Sequence, residues 1–285
     1  MTPGGRERIT VQRLSAMLSS FGMRHAPGQL ADVMDECEVA EASYREFLLR
    51  LLEAEAKGRN ERRYHRNYAA AHFPPNVRDL AEFDCSELEG GITPGQIAQL
   101  KELSWLDSSA NVIFAGPPGV GKTMLALGLG LHAVGEGYTV AFEKMDGLVR
   151  ILDNAELDRK AGFRLRYIRR ASCVIIDEIG YTPITRPQAN RFFNFVSEAY
   201  ERTSLVFTTN KDIPEWAEMM GDPVLTAAMM DRVLHHARCF SLRGQSYRLK
   251  HPGLAYGGDG APAGTVPMPE EARPLPAQGE GAGGL

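Results

Sequence analysis

The octapeptide Gly116-Pro117-Pro118-Gly119-Val120-Gly121-Lys122-Thr123 is preceded by the apolar run NVIFA at 111–115 and followed by the helical pattern MLALGLGLHAV. Its glycines let the backbone curl so that successive amide N–H groups and a helix N-terminus face one point, an arrangement that cradles phosphates. A lysine at the end of such a loop reaches the β and γ phosphates of ATP, and the hydroxyl after it ligates Mg²⁺. Strand, loop and helix follow in the order this chemistry requires, so all eight residues read as a phosphate-binding loop rather than a Gly-Pro turn.

Outward from the loop, short runs rich in Val, Ile, Phe or Leu alternate with amphipathic segments. Strands are expected at 112–115, 140–143, 173–177, 205–209 and 238–242, and the helix from Lys122 presents Leu125, Leu129 and Ala133 before Gly135 and Gly137 stop it. Such alternation specifies an α/β fold, a five-stranded parallel sheet flanked by helices. Upstream the pattern is helical, with Val11, Leu14, Leu18 and Phe21 on one face and Tyr44, Phe47, Leu48, Leu51 and Leu52 on another. Pro27-Gly28 is expected to separate two helices, Ser43 to cap a helix three residues before Glu46, and Pro74-Pro75 to end the run. The expected organisation is a small all-helical N-terminal domain at 1–75, a connector at 76–90, the α/β domain at 91–251 and a tail at 252–285. The tail is so rich in Gly and Pro that it cannot bury enough apolar surface to order itself.

A Mg²⁺-bound nucleotide also needs a carboxylate at the end of a neighbouring strand, and CVIID supplies Asp177. Glu178 follows at once, placed to polarise an attacking water as general base. Small-molecule kinases with such a loop generally lack that glutamate, because their nucleophile is the substrate. Asn210 closes the strand TTN, where an amide can hold the lytic water near the γ phosphate. Arg232, in MMDRVLHH, and Arg248, in SYRLK, read from chemistry alone as surface arginines.

The chain has 285 residues, 44% hydrophobic and 24% charged, with a formal net charge of -4. No stretch matches a membrane span or a signal peptide, which points to the cytoplasm. Cys37, Cys85, Cys173 and Cys239 are far apart, without metal-ligand spacing, and read as reduced, mostly buried thiols. The charge is uneven. Residues 57–66 carry Lys57, Arg59, Arg62, Arg63 and Arg66 against the single acid Glu61, and residues 159–170 hold six basic residues and no acid, with Arg164, Arg166, Arg169 and Arg170 among them. On a helix Arg59, Arg62, Arg63 and Arg66 share a stripe, which suits phosphate contacts, while the alternative is a solvated face paired with Glu55 and Glu61. The second cluster could equally cap the helix before the CVIID strand.

GPPGVGKT, CVIIDEIGY, the strand ending TTN, PEWAEMMGD and MDRVLHHARCFSLRGQSYRLK together resemble the IstB-type ATP-binding proteins of insertion sequences, themselves similar to DnaC helicase loaders. The resemblance runs from about Leu14 to Lys250, and the helical N-terminal region shares it. It implies a P-loop AAA+ ATPase that forms a homo-oligomer with ATP on duplex DNA and assists a transposase of the IstA type in target selection and insertion. By the same resemblance Arg232 takes the arginine-finger position toward a neighbouring subunit, and Arg248 the sensor 2 position in its own. A DnaC-like loader of a replicative helicase is the alternative, and a small-molecule kinase ranks third.

Overall fold

The computed structural model describes residues 10–212 and 215–246. Arg248 and the Gly/Pro-rich tail lie outside the described residues. The chain divides into two compact units, one ending at Tyr64 and one beginning at His65.

The first unit is helical: α1 Val11–Ser20, α2 Ala26–Val39 and most of α3 Tyr44–Ala71. Its core joins Ala26, Leu30, Val33, Cys37 and Leu51, with Leu14, Leu18 and Phe47 packed against it. Ser43 accepts a bond from the Glu46 N–H at 3.3 Å, the expected cap of α3. Pro27-Gly28 does not separate helices. It lies in the first turn of α2, where a proline's missing N–H has no partner to lose, and the break falls at Gly22, whose φ is 80°. The expected apolar faces are only partly used, since Phe21, Tyr44, Leu48 and Leu52 stay exposed.

Glu55 is buried, and Arg59 of the basic stripe lies against it at 3.5 Å. Glu55 accepts the backbone N–H groups of Arg24, His25 and Ala26 at 2.9, 2.7 and 3.0 Å, and so closes the N-terminus of α2 from another helix. Burial alone would raise its carboxyl. The three N–H groups of Ala26, His25 and Arg24, with Arg59 beside them, outweigh that and hold it down at about 2.

The second unit holds α4 Pro94–Lys101, α5 Ser104–Asp107, β1 Asn111–Ala115, α6 Lys122–Gly135, β2 Val140–Lys144, α7 Met145–Asn154 and α8 Arg159–Ile168. It continues with β3 Cys173–Ile179, α9 Arg186–Ala199, β4 Ser204–Thr209, α10 Trp216–Met220, α11 Pro223–His235 and β5 Ala237–Ser241. The five strands are parallel in the order β2-β3-β4-β1-β5. Strands covered on both faces must be apolar throughout, which is why VIF, VII and LVF read as continuous runs. On one face Leu148, Ile168, Phe192, Phe195 and Met229 close over Val174, Ile176 and Phe207. The glycine-rich, apolar α6 packs against β3 and β4.

The division between units falls inside α3, whose last turns are bound to the rest of the second unit. Asn67 donates to the carbonyls of Gly137 and Tyr138, and Arg164 donates to those of Ala70 and Ala71 at 2.7 and 3.2 Å. Arg164 is also paired with Glu143 at 2.6 Å, both side chains largely buried.

Candidate functional site

Parallel order brings the C-terminal ends of β1, β3 and β4 to one edge of the sheet, where ligands of open α/β folds bind. The phosphate-binding loop leaves β1 there. Gly116 donates to Thr209 of β4, and a Cβ at Gly116 would lie 2.4 Å from the Leu242 carbonyl. Gly121 has φ 94° and a Cβ there would meet the Phe83 ring at 2.6 Å, so neither position accepts a side chain. The N-terminus of α6 therefore opens directly onto the loop, a concentration of N–H donors suited to an anion. Lys122 bends back over it, its Nζ donating to the carbonyls of Gly116 and Pro117 at 2.8 Å each.

Thr123 donates its hydroxyl to Asp177 Oδ1 at 2.8 Å, so the two expected metal ligands already touch. Thr208 of β4 donates to the same oxygen. Burial pushes the Asp177 carboxyl up, against the pull of the Thr208 and Thr123 hydroxyls. A buried carboxylate with hydroxyl partners is what a hard, oxygen-preferring cation such as Mg²⁺ would stabilise.

Asp177 is not the end of its strand. β3 runs on to Ile179 through an irregularity between Ile176 and Ile179, and Glu178 there takes the left-handed backbone conformation at φ 62°. Its N–H is held by Thr208 Oγ1 at 3.0 Å, and its half-exposed carboxylate pairs with Lys144 of β2 at 3.0 Å. The hydrogen bond that Lys144 donates to Glu178 raises its ammonium above the ordinary value. Asn210 follows β4 and lines the site, and its Oδ1 is buried with no hydrogen-bond partner among the described residues. Pro118 to Thr123, Lys144, Asp177, Glu178, Thr208 and Asn210 line one cavity of about 330 Å³, together with Phe83, Phe142, Tyr181 and Gln245.

Thr208 and Lys144 were not among the expected site residues. The first was hidden as one more polar residue of an apolar strand; the second follows from the neighbouring register of Lys144 and Asp177 on β2 and β3, which sequence does not display. Arg232 is outside the cavity. It donates to the Ala228 carbonyl at 2.8 Å and lies over the Phe193 ring at 5.0 Å.

Among the basic residues, Lys57, Arg63 and Arg66 are exposed and Arg62 is half-buried. Arg59 lies 3.5 Å from Glu55, and Arg66 reaches the side chain of Asn67. Arg164, expected among the DNA contacts, is turned inward, its guanidinium on Glu143 and the end of α3. It caps that helix, not its own. Arg169 pairs with Glu198 at 2.9 Å, while Arg166 and Arg170 are exposed. Of the cysteines, Cys37 and Cys173 are buried and Cys85 partly so, but Cys239 on the edge strand β5 is exposed. No helix among the described residues is long and apolar enough to cross a membrane.

A family model described as IstB-like ATP binding protein matches residues 16–255. An ATP-binding protein of insertion sequence IS21 from Pseudomonas aeruginosa is 37% identical over 240 residues, which cover 84% of this chain and 90% of that one. One of insertion sequence IS5376 from Geobacillus stearothermophilus is 37% identical over 212 residues, 74% of this chain and 84% of that one. Among solved structures, DnaI superposes with a TM-score of 0.50 at 18% identity, over 60% of this chain and 95% of that one. That likeness extends to the fold, a P-loop AAA+ domain, and no further.

Proposed function

This chain belongs to the IstB-like ATP-binding proteins, and from that membership we propose that it hydrolyses ATP, assembles with it as a homo-oligomer on duplex DNA, and assists an IstA-type transposase in target selection and insertion. The insertion-sequence names of its relatives support the transposition context. One observation carries the hydrolytic reading: Glu178, the glutamate after the buried Asp177, and Asn210 line the same cavity as the phosphate-binding loop.

In this reading the loop N–H groups and Lys122 bind the β and γ phosphates. Thr123 and Asp177 would hold Mg²⁺, which supplies charge neutralisation at the phosphates. Asn210 orients a water, and Glu178 takes its proton as the water attacks the γ phosphorus; ADP departs with the bridging oxygen. Arg232 acts in trans on a neighbouring subunit's site, and Arg248 on its own.

ATP hydrolysis measured with and without duplex DNA, alongside particle size in ATP, tests the proposal. Stimulation by DNA together with a larger particle is expected. A phosphorylated metabolite formed in place of inorganic phosphate would establish a kinase instead.

A further inference from the structure

The outer face of α8 has a composition that its position in the fold does not require. Gly162, Leu165 and Ile168 are buried. On the opposite side Arg159, Phe163, Arg166 and Arg170 recur at spacings of four, three and four, which on a 3.6-residue helix makes one narrow stripe, with Arg170 just past the helix end. Phe163 is 54% exposed in the middle of it. The guanidinium of Arg166 lies 4.3 Å from its ring centroid and that of Arg159 lies 5.4 Å away, so the phenyl is flanked by cations on the surface. Among the described residues Arg159, Arg166 and Arg170 have no ion pair, and the inward Arg164 and the paired Arg169 are off the stripe. The acids at the start of the helix, Glu156 and Asp158, flank the separate exposed Leu157, and Asp158 is engaged in capping α8 through the Lys160 N–H.

Resting on the DNA-binding reading above, we propose that this stripe is the duplex-contacting surface and that Phe163 enters a groove as an apolar wedge between base steps. Three unpaired guanidiniums along one line match a row of phosphates. An apolar side chain set between them has no other apolar stripe residue with which to build a protein contact. Its chemistry is that of residues which unstack adjacent base pairs while neighbouring cations grip the backbone. On the basic stripe of α3 the intervening Tyr64 is buried, and Arg59 is engaged with Glu55.

Binding of the full chain to a fluorescent duplex, with a non-hydrolysable ATP analogue and over a range of salt, distinguishes the cationic row from the wedge. Replacing Arg159, Arg166 and Arg170 together with Gln is expected to flatten the salt slope by about 2.7, at roughly 0.9 per lost phosphate contact. Phe163→Ala should keep the slope, and it should abolish the fluorescence rise of a 2-aminopurine placed in the duplex. Phe163→Leu should restore that rise, because any apolar wedge will do. Retained nucleotide binding and circular dichroism show that each variant is folded. An unchanged salt slope in the arginine variant, with the slope lost instead in Arg59→Gln/Arg62→Gln/Arg63→Gln, overturns the proposal while leaving DNA binding intact. So does a 2-aminopurine signal indifferent to Phe163→Ala. Wild-type protein that binds no duplex at all overturns the DNA-binding reading and this one with it.

Discussion

At the scale of single residues, the loop at 116–123 could be read directly because its chemistry is contiguous: glycines, lysine and threonine act through neighbouring backbone. Lys122→Ala is therefore expected to abolish nucleotide binding, measured by titration with a fluorescent ATP analogue; ordinary affinity would remove Lys122 from the phosphate site. Glu178→Gln should still bind ATP and lose about 10² to 10⁴ in turnover, the usual worth of general-base assistance. Thr208 could not be found in this way. Its hydroxyl serves both Asp177 and the Glu178 N–H, two contacts that exist only because β3 and β4 are neighbours. In Thr208→Val the Asp177 carboxyl loses a donor that counters its burial, so its proton affinity should rise. The Mg²⁺ concentration for half-maximal hydrolysis should then increase most on the acid side of neutrality, and an unchanged Mg²⁺ dependence would show that Thr208 only packs.

The elements tell a different story about what a sequence displays. All five strands were legible within a residue or two, the central ones because fully covered parallel strands are uninterrupted apolar runs. Helix ends closed from a distance were not. The N-terminus of α2 is satisfied by Glu55 and the C-terminus of α3 by Arg164, each far along the chain, so both looked like members of charged surface clusters. Removing Arg164 strands a buried Glu143 and leaves the Ala70 and Ala71 carbonyls without their donor. Arg164→Ala is expected to cost about 3–5 kcal/mol, read from denaturant midpoints, as for breaking other buried pairs. Glu55 makes a pH prediction. Its folded value of about 2 lies below the ordinary glutamate value of 4.5, so the stability it contributes is complete above the latter and is lost as pH falls toward the former. Acid unfolding of the helical unit should show a slope in that window which Glu55→Gln lacks; parallel curves would mean the carboxylate's charge is immaterial.

For the whole molecule, the sequence changes period from helical to alternating, and the chain divides inside α3 into a unit ending at Tyr64 and one beginning at His65. Pro74-Pro75 does end the helical run, yet a helix need not belong to one unit, and the residues binding its last turns to the sheet domain are ordinary Asn67 and Arg164. Assembly is the other property of this scale. Arg232 stands outside its own cavity, so a role in hydrolysis requires a second copy. Arg232→Ala should keep ATP binding while losing turnover, and mixing it with Glu178→Gln should recover some of the activity, since each subunit supplies what the other lacks. Absence of recovery at every mixing ratio would leave Arg232 as a packing residue on Phe193.

The strand order has a consequence for how the protein is made. β1, which carries the loop, lies between β4 and β5, the last strand of the sheet to be synthesised. At roughly 5–20 residues per second, the ribosome has to add well over a hundred residues after β1 before both its neighbours exist. Until then a run of bare apolar backbone waits with open edges, the form most prone to join another chain. Nascent protein truncated before Ala237 should accordingly be held by chaperones or digested. The ATP site would then appear late and all at once, as the final strand closes the sheet.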